Sequence, residues 1–300
     1  MVLESALLDA TARAATPLLL AGAGELVCER SGVLNLGLEG LMLLGAASGF
    51  MVASITGSMA LGFAAAAGAA AGLAVLYGLL TIHGALNQVA CGLGFVMVGA
   101  GLAAVIGRNA PDQLGAGASL GSIPWLEGLP VVGHALFGQD SLPGIAVALV
   151  LIMALFWRSS KPGLLLHAVG DAPDAALAMG VPVRLVRLMA VAFGGAMSGL
   201  AGGYLSLVYT PMWQEGMTAN RGWIALALVV FAGWRPVPLL LGAYLFGALG
   251  KAKEFAQALG VAISPYTLDA LPYLVTIAVL ALSSRNRTGA PRALARPWPR

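Results

Sequence analysis

The stretch MALGFAAAAGAAAGLAVLYGLLTI, residues 59–82, runs for 24 residues without a charged side chain. A helix needs about 20 mostly apolar residues to cross the hydrocarbon core of a bilayer. Because the hydrocarbon core offers no water to bond exposed backbone groups, a single run of this length crosses it as an α-helix. Residues 59–82 therefore predict a transmembrane helix.

Similar apolar runs continue on both sides of this stretch. Of the 300 residues, 59% are hydrophobic and 10% are charged, with a mean hydropathy of +0.88, whereas soluble domains carry about 25% charged residues. This composition excludes a soluble protein, because too few polar side chains remain to cover a water-facing surface. It predicts an all-α polytopic membrane protein with about 8–10 transmembrane helices, some of them broken or re-entrant. The candidate spans are 5–24, 36–55, 59–82, 88–107, 142–158, 188–209, 222–234, 236–250 and 268–284.

The two runs between residues 222 and 250 are short, and only Trp234-Arg235-Pro236 separates them. They predict either a tight helical hairpin or half-helices that meet within the membrane. Trp125, Trp157, Trp213 and Trp234 lie near predicted span ends, where aromatic side chains form belts at the membrane surface.

Lysine and arginine in short loops favour the cytoplasmic side of a membrane. The stretch 157–187 carries four such residues and the tail after Leu282 carries five arginines, whereas the loop 109–140 carries three acidic residues and no Lys or Arg. We therefore predict one membrane-embedded domain over residues 1–300. Its cytoplasmic loop lies at 158–187, its basic cytoplasmic tail at 283–300, and its N-terminus and the loop 109–140 lie outside.

Ladders of glycine predict where helices approach closely, since association in lipid depends on close backbone contact. Such ladders occur at Gly45/Gly49, at Gly68/Gly72 and at Gly195/Gly199/Gly203. We expect each to pack within the chain.

The first polar interruption is ELVCERSGVLNLGLEG, residues 25–40, between two apolar spans. Glu25 and Glu29 are four residues apart, as are Asn35 and Glu39, so each pair would share a helical face. Ionisable side chains at membrane depth are costly and usually face an interior or a water-filled cavity. Two interpretations stay open: the stretch lines or gates a pathway, or it is a solvated cytoplasmic connection in which Glu29 pairs with Arg30.

The second polar interruption is HAVGDAPDAALAMGVPVRLVR, residues 167–187. Asp171 can cap a helix whose first turn contains Pro173 and Asp174, and Gly180 can end that helix in a left-handed conformation. A helix of about seven residues is too short to be stable alone. It therefore needs a surface to dock on, which the chain, the membrane or a partner could supply.

Two resemblances give these interruptions a function. Asp174-Ala175-Ala176-x-x-x-Gly180 resembles the E-A-A-x-x-x-G element of bacterial ABC-importer permeases, with Asp in place of Glu. In that class the element is a cytoplasmic coupling helix that fits a groove of the ATPase subunit. Independently, ERSGVLNLGLEGLMLLGA at 29–46 closely resembles the signature of permeases of nucleoside and simple-sugar ABC importers, which are served by lipoprotein receptors of the basic-membrane-protein type. The residues implied in coupling to the ATPase are Gly170, Asp171, Asp174, Ala175, Ala176 and Gly180.

The likeness extends through NQVACGLG at 87–94 and the segment 222–249 over most of residues 15–285. It implies a permease subunit of an ABC importer in the bacterial inner membrane that moves a nucleoside or related simple sugar. The implied partners are an ATPase subunit, a periplasmic or lipoprotein substrate-binding protein, and a second permease, more often a paralogue than an identical copy. ATP and Mg²⁺ would bind to the ATPase, and this chain would bind no cofactor and no nucleic acid.

A third group of polar residues lies within or beside apolar spans. Neutral hydrogen-bonding side chains and an aromatic face suit the uncharged hydroxyls and base edges of a sugar or nucleoside, and weak contacts allow the solute to leave. We predict a substrate pathway lined by Asn35, Glu39, Asn87, Gln88, Asn220 and Trp223. Hydrogen bonding between helices is the alternative role for these side chains.

The sequence lacks the motifs of several enzyme classes. A phosphate-binding P-loop needs Gly-x4-Gly-Lys-Ser/Thr, and Gly250-Lys251, the only Gly-Lys pair, is followed by Ala252. The three histidines show no metal-ligand spacing. We therefore expect a transport subunit that is not an enzyme. The alternatives are an ion- or proton-coupled transporter, which would use Glu39 and Glu29 as coupling groups, and a branched-chain amino-acid ABC permease.

Overall fold

The computed structural model describes residues 2–111, 136–137, 140–258 and 289–296, with isolated positions between 267 and 278. The regular elements of these residues are helices. Single turns of π-helix, Leu79–His83 and Leu205–Tyr209, directly follow two of the α-helices. The α-helices are α1 (Val2–Arg30), α2 (Leu38–Thr56), α3 (Met59–Gly78), α4 (Gln88–Gly107), α5 (Leu142–Ser159), α6 (Lys161–Asp171), α7 (Pro173–Ala178), α8 (Val183–Tyr204), α9 (Arg221–Phe231) and α10 (Pro236–Ala258).

Five helices of the described part are long and apolar enough to cross a membrane: α2, α4, α5, and α3 and α8 with their π-turns. They coincide with five of the predicted spans, so the all-α, multi-span fold class is confirmed. The predicted span 268–284 and most of the loop 109–140 lie outside the described residues.

The predicted pair of runs near 222–250 forms two unequal helices. Helix α9 has 11 residues and is about 16 Å long at 1.5 Å per residue, too short to cross a bilayer. Helix α10 has 23 residues and continues to Ala258, beyond the predicted end at 250. The two runs therefore form a tight hairpin of unequal arms, in which Gly242 of α10 lies against Leu228 of α9, and α9 alone has the length of a half-helix.

Helix α8 lies at the centre of the fold, packed against α1, α2 and α3. Close approach depends on its glycines: a Cβ at Gly199 would lie 2.7 Å from the Cβ of Ala70 in α3, and Gly45 of α2 also lies against Gly199. Intrachain packing is thus confirmed for the ladders Gly45/Gly49 and Gly195/Gly199/Gly203. For Gly68 and Gly72 the prediction is wrong within the described part of the chain, because an added Cβ there meets no described atom within 4 Å.

The ends of the helices define two faces. On one face Arg13 lies 3.7 Å from the Asp140 carboxylate and donates to the Val208 carbonyl. On the other, which we call the basic face, Ala293 of the tail donates its N–H to the Gly170 carbonyl. The predicted cytoplasmic loop and the described part of the tail therefore lie together, and the cytoplasmic location of the basic face stays a prediction from the distribution of Lys and Arg.

Candidate functional site

Between α1 and α2 the helical structure is interrupted over residues 31–37, which we call the first break. Gly32 has φ +92°, which turns the chain at the end of α1. The segment then runs beside the first turns of α4, where Leu36 lies against Gly92, and Gly40 reaches the backbone of Val96. Val96 is about 12 Å along α4, near the middle of that helix. Asn35 lies in non-helical backbone, so Asn35 and Glu39 do not share a helical face. Because the segment runs beside α4, this backbone lies at membrane depth.

Buried side chains satisfy the backbone of this first break. The N–H of Leu34 donates to Gln88 Oε1 (2.8 Å), and that of Asn35 donates to Glu25 Oε1 (3.0 Å). Tyr77 Oη donates to the Leu34 carbonyl, and Asn35 Oδ1 accepts from the Gly37 N–H at 3.0 Å. An unsatisfied backbone group in hydrocarbon costs several kcal/mol, so these side chains allow the break to exist. Glu25 is fully buried, and the interpretation of a solvated connection is wrong.

A second break, residues 210–220, lies between the π-turn after α8 and the start of α9. Ala219 and Asn220 have φ of +48° and +63°, and the Asn220 side chain does not cap α9. Glu39 of α2 does so instead. Its Oε1 accepts from Thr218 Oγ1 (2.5 Å) and Asn220 N (3.0 Å), and its Oε2 accepts from Gly222 N (2.7 Å).

Glu39 therefore joins the two breaks. The first N–H groups of a helix lack intrahelical partners, and the N-terminus carries a partial positive charge, so a buried carboxylate is favourable there. Because α2 begins near the middle of α4, the start of α9 also lies at mid-membrane depth. The fit is close, since a Cβ at Gly222 would lie 2.6 Å from Glu39 Oε2.

The other end of α9 is fixed at the basic face by the end of α1. Trp234, with φ +56°, forms the turn before α10. Its indole Nε1 donates to the Glu29 carboxylate, while Arg30 Nε and Nη2 donate to its carbonyl at 3.0 and 2.7 Å. The predicted pairing of Glu29 with Arg30 is wrong, because both side chains hold Trp234. Trp234 is 9% exposed and does not belong to a surface belt.

The six predicted pathway residues fall into three places. Asn35 and Gln88 lie buried around Leu34, whereas Glu39 is buried at the start of α9 with Asn220 and the half-buried Trp223 beside it. Asn87 is exposed and caps α4 by accepting from Ala90 N at 3.0 Å. Sequence reasoning missed Tyr77, Thr218 and Gly222, whose partners are distant in the chain. Contact of these six side chains with solute remains a prediction.

The second polar interruption folds into two helices, α6 and α7, where one was predicted. Ser160 caps α6 by accepting from Gly163 N at 3.0 Å, and Pro162 occupies its first turn, a signal that the sequence contained. Asp171 ends α6 and accepts from Arg292 N at 3.3 Å, so the prediction that it caps α7 is wrong. Gly180 has φ +81°, which confirms the left-handed end.

Helix α6 is anchored to the helices around it. His167 lies edge-on to Trp157 of α5, with ring centroids 5.2 Å apart. Burial, and to a lesser extent the charge of Arg30, lowers the pKa of His167, so its imidazole is neutral near pH 7. Gly170 is buried against the Arg30 carbonyl. Of the predicted coupling residues, Gly170 is therefore a packing position within α6.

Helix α7, by contrast, is mostly uncovered. Asp171, Asp174, Ala175 and Gly180 are exposed and Ala176 is buried. Leu177 is 54% and Met179 is 84% exposed. Two large apolar side chains thus stand uncovered at the basic face, on the short helix predicted to dock.

Comparison with known proteins agrees with this architecture. Residues 7–280 match the family described as "Branched-chain amino acid transport system / permease component". The chain is 41% identical to a provisionally named glucose ABC transporter permease of Haloferax volcanii, over 94% of this chain and 92% of the relative. It is 30% identical to a nucleoside ABC transporter permease of Lactococcus lactis, over 89% and 88% of the two chains. It is also 30% identical to a guanosine ABC transporter permease of Bacillus subtilis, over 98% and 96%. No solved structure matches the chain.

Among the described residues, no group of three or more His, Cys, Asp or Glu side chains could hold a metal ion. The matched relatives are transport permeases that span nearly the same length. The chain therefore belongs to the family described as permease components of branched-chain amino acid transport systems. It is a multi-pass permease subunit of an ABC importer in the plasma membrane.

Proposed function

We propose that this permease conducts an uncharged, hydroxyl-rich solute, a nucleoside or a simple sugar. The observation that carries the proposal is the Glu39 carboxylate at the start of α9. In transporters built from broken helices, the N-terminus of a half-helix commonly points at an anionic group of the substrate. Here Glu39 already occupies that position, with three donors directed at its two oxygens.

An amino-acid substrate would bring a second carboxylate to this depth. Two like charges in a low-dielectric site repel each other strongly, and the N–H of Gly222 is already engaged. A sugar or nucleoside has no such charge. The arrangement therefore favours a neutral solute over a branched-chain amino acid, although the family description names the latter.

The relatives support the same solute class. Their names give glucose, nucleosides and guanosine as the transported solutes. The proton-coupled alternative receives no such support. A coupling carboxylate has to load and release its ion during transport, whereas Glu39 accepts three hydrogen bonds within the chain.

We also assign the driving force to a separate ATPase subunit that docks on α7. The uncovered Leu177 and Met179 supply the apolar part of that surface, and Asp174 lies in its first turn. A receptor would deliver the solute at the opposite face, and a second permease would complete the pathway. This chain then binds neither ATP nor Mg²⁺ and catalyses no reaction.

The test is uptake by the purified complex in proteoliposomes. The tagged chain is copurified with its partners in mild detergent and reconstituted, and uptake of radiolabelled guanosine, glucose and leucine is compared with and without ATP. We expect ATP-dependent uptake of guanosine or glucose that a protonophore leaves unchanged. Uptake of leucine alone would contradict the solute class, and ATP-independent uptake that a protonophore abolishes would contradict the driving force.

A further inference from the structure

The described part of the tail, residues 289–296, lies against α6 at the basic face. We call this segment the tail strap. Ala293 N donates to the Gly170 carbonyl at 2.9 Å, and Arg292 N donates to Asp171 Oδ1 at 3.3 Å. The last carbonyls of a helix lack intrahelical partners, so the strap caps the end of α6. Asp171 lies two residues before the start of α7, which places this cap next to the proposed ATPase surface.

The tail strap also contacts the first break, the start of α4 and the turn before α10. The carbonyl of Ala293 lies beside Gly32, the turn that opens the first break, and Gly289 lies against the Gly233 carbonyl in the turn before α10. Gln88, which satisfies Leu34 of the first break, also reaches the Arg296 carbonyl at 3.5 Å.

The contacts are buried where they join these elements. Ala293 is 6% exposed and Pro291 is buried, while the intervening Arg292 and the preceding Ala290 are exposed. Leu294 packs against the main hydrophobic core. Eight residues thus join α6, the first break, α4 and the turn between α9 and α10.

We propose that the tail strap is a positioning segment for transport: it transmits a displacement of α6–α7 to the first break and to the Trp234 turn. The inference rests on the proposed docking of an ATPase on α7. Packed elements change between discrete arrangements. The strap is hydrogen-bonded to the end of α6 and packed on Gly32 and Gly233. It therefore moves with α6 and displaces Gly32 and Gly233.

This role differs from that of a passive cover. A cover only stabilises the fold, so its loss lowers assembly, ATP hydrolysis and uptake together. When a transmitting segment loses its contacts, the ATPase stays docked and active on α7, but the first break and the Trp234 turn no longer move with α6 and α7. The ratio of ATP hydrolysed to solute moved therefore separates the two roles.

The experiment compares Ala293→Glu with Ala290→Glu in the copurified, reconstituted complex. Both substitutions add the same charge to the strap, but Ala293 is buried against Gly32 and Ala290 is exposed. We expect A293E to retain ATP hydrolysis within about twofold of the parent while uptake falls about tenfold or more, within the range of allosteric coupling. A290E should match the parent in both. Equal uptake by the two variants would overturn the proposal.

A second variant covers the case in which A293E fails to assemble. Truncation after residue 288 removes the whole strap, and the same two rates are measured. ATP hydrolysis without uptake supports transmission, whereas unchanged uptake, or loss of assembly in both variants, overturns it. The parent complex separates this outcome from a failure of the proposed function. If the parent shows no ATP-dependent uptake, the proposed function is wrong. If the parent and A293E transport equally well, only the proposed role of the strap is wrong.

Discussion

The two breaks and the short helix α7 differ in a way that secondary structure alone does not suggest. The breaks, residues 31–37 and 210–220, are irregular, yet Leu34, Asn35, Gly37 and Asn220 each donate their N–H to a side chain of another element or of a neighbouring residue. Helix α7 is regular, yet most of its side chains are exposed. The irregular backbone at 31–37 and at 217–220 is thus more firmly fixed than helix α7.

The surroundings explain this difference. At mid-membrane depth a backbone group without a partner costs several kcal/mol, so a break there requires buried side chains that accept or donate. At the basic face water satisfies the backbone, and a single turn of helix is only marginally stable without a docking surface. We infer that hydrogen bonds hold each break as a rigid unit, whereas α7 acquires its stability from a partner.

The largest expected effect is at Glu39, since Glu39→Ala removes the acceptor from Thr218, Asn220 and Gly222. A buried donor left without a partner costs about 1–3 kcal/mol, so we expect a loss of at least about 3 kcal/mol of stability. Thermal unfolding of the chain in nanodiscs measures it. Glu215→Ala, at an exposed position of the second break, is the matched control. Equal melting temperatures for the two variants would refute the role of Glu39 as the cap of α9.

The next effect is steric. Gly222→Ala places a Cβ 2.6 Å from Glu39 Oε2 and 2.7 Å from the Glu39 Cα, and overpacking of this kind costs about 1–3 kcal/mol. The control is Gly68→Ala, where the new Cβ meets no described atom within 4 Å and a gain in helix propensity is expected. We expect the first variant to melt lower than the parent and the second to melt at or above it. The reverse order would show that α9 can withdraw from α2 without loss.

A smaller effect is expected at the first break. Gln88→Leu keeps a similar volume but removes the acceptor of the Leu34 N–H, at a cost of about 1–2 kcal/mol. Gln214→Leu makes the same change at an exposed position and should stay within about 0.5 kcal/mol of the parent. Denaturant titration in mixed micelles, followed by tryptophan fluorescence, compares them. If Q88L is as stable as Q214L, the first break does not depend on this side chain.

The smallest effect on stability is expected at α7, where Met179→Glu should change stability by less than about 0.5 kcal/mol because Met179 is 84% exposed. Uptake should nevertheless fall steeply, since the substitution places a charge on the proposed docking surface. Copurification of the ATPase and ATP-dependent uptake are measured together. Normal uptake in this variant would contradict docking on α7.

The sequence predicted those features that local rules determine. Residues 59–82 formed a span because of their length and lack of charge, and Gly180 adopted a left-handed conformation because a glycine before Pro182 can end a helix there. Helix α6 was equally predictable from Ser160 and Pro162, which mark a helix start.

The site itself depended on contacts between distant residues. The four-residue spacing of Asn35 and Glu39 suggested one helix, and no local rule shows that the chain breaks between them. Glu39 reaches donors about 180 positions away in the sequence, and Trp234 meets Glu29 across a similar distance. One sequence without its relatives contains no record of such pairs.

Irregular backbone inside the membrane is thus expected to be fixed more firmly than the regular helix α7. Hydrogen exchange of the purified chain in nanodiscs, read by mass spectrometry, tests it directly. We predict slow exchange in peptides covering 31–37 and 218–224 and fast exchange in 173–180, with E39A accelerating 218–224 alone and the ATPase slowing 173–180. Exchange of 31–37 and 218–224 as fast as that of 173–180 would contradict the account.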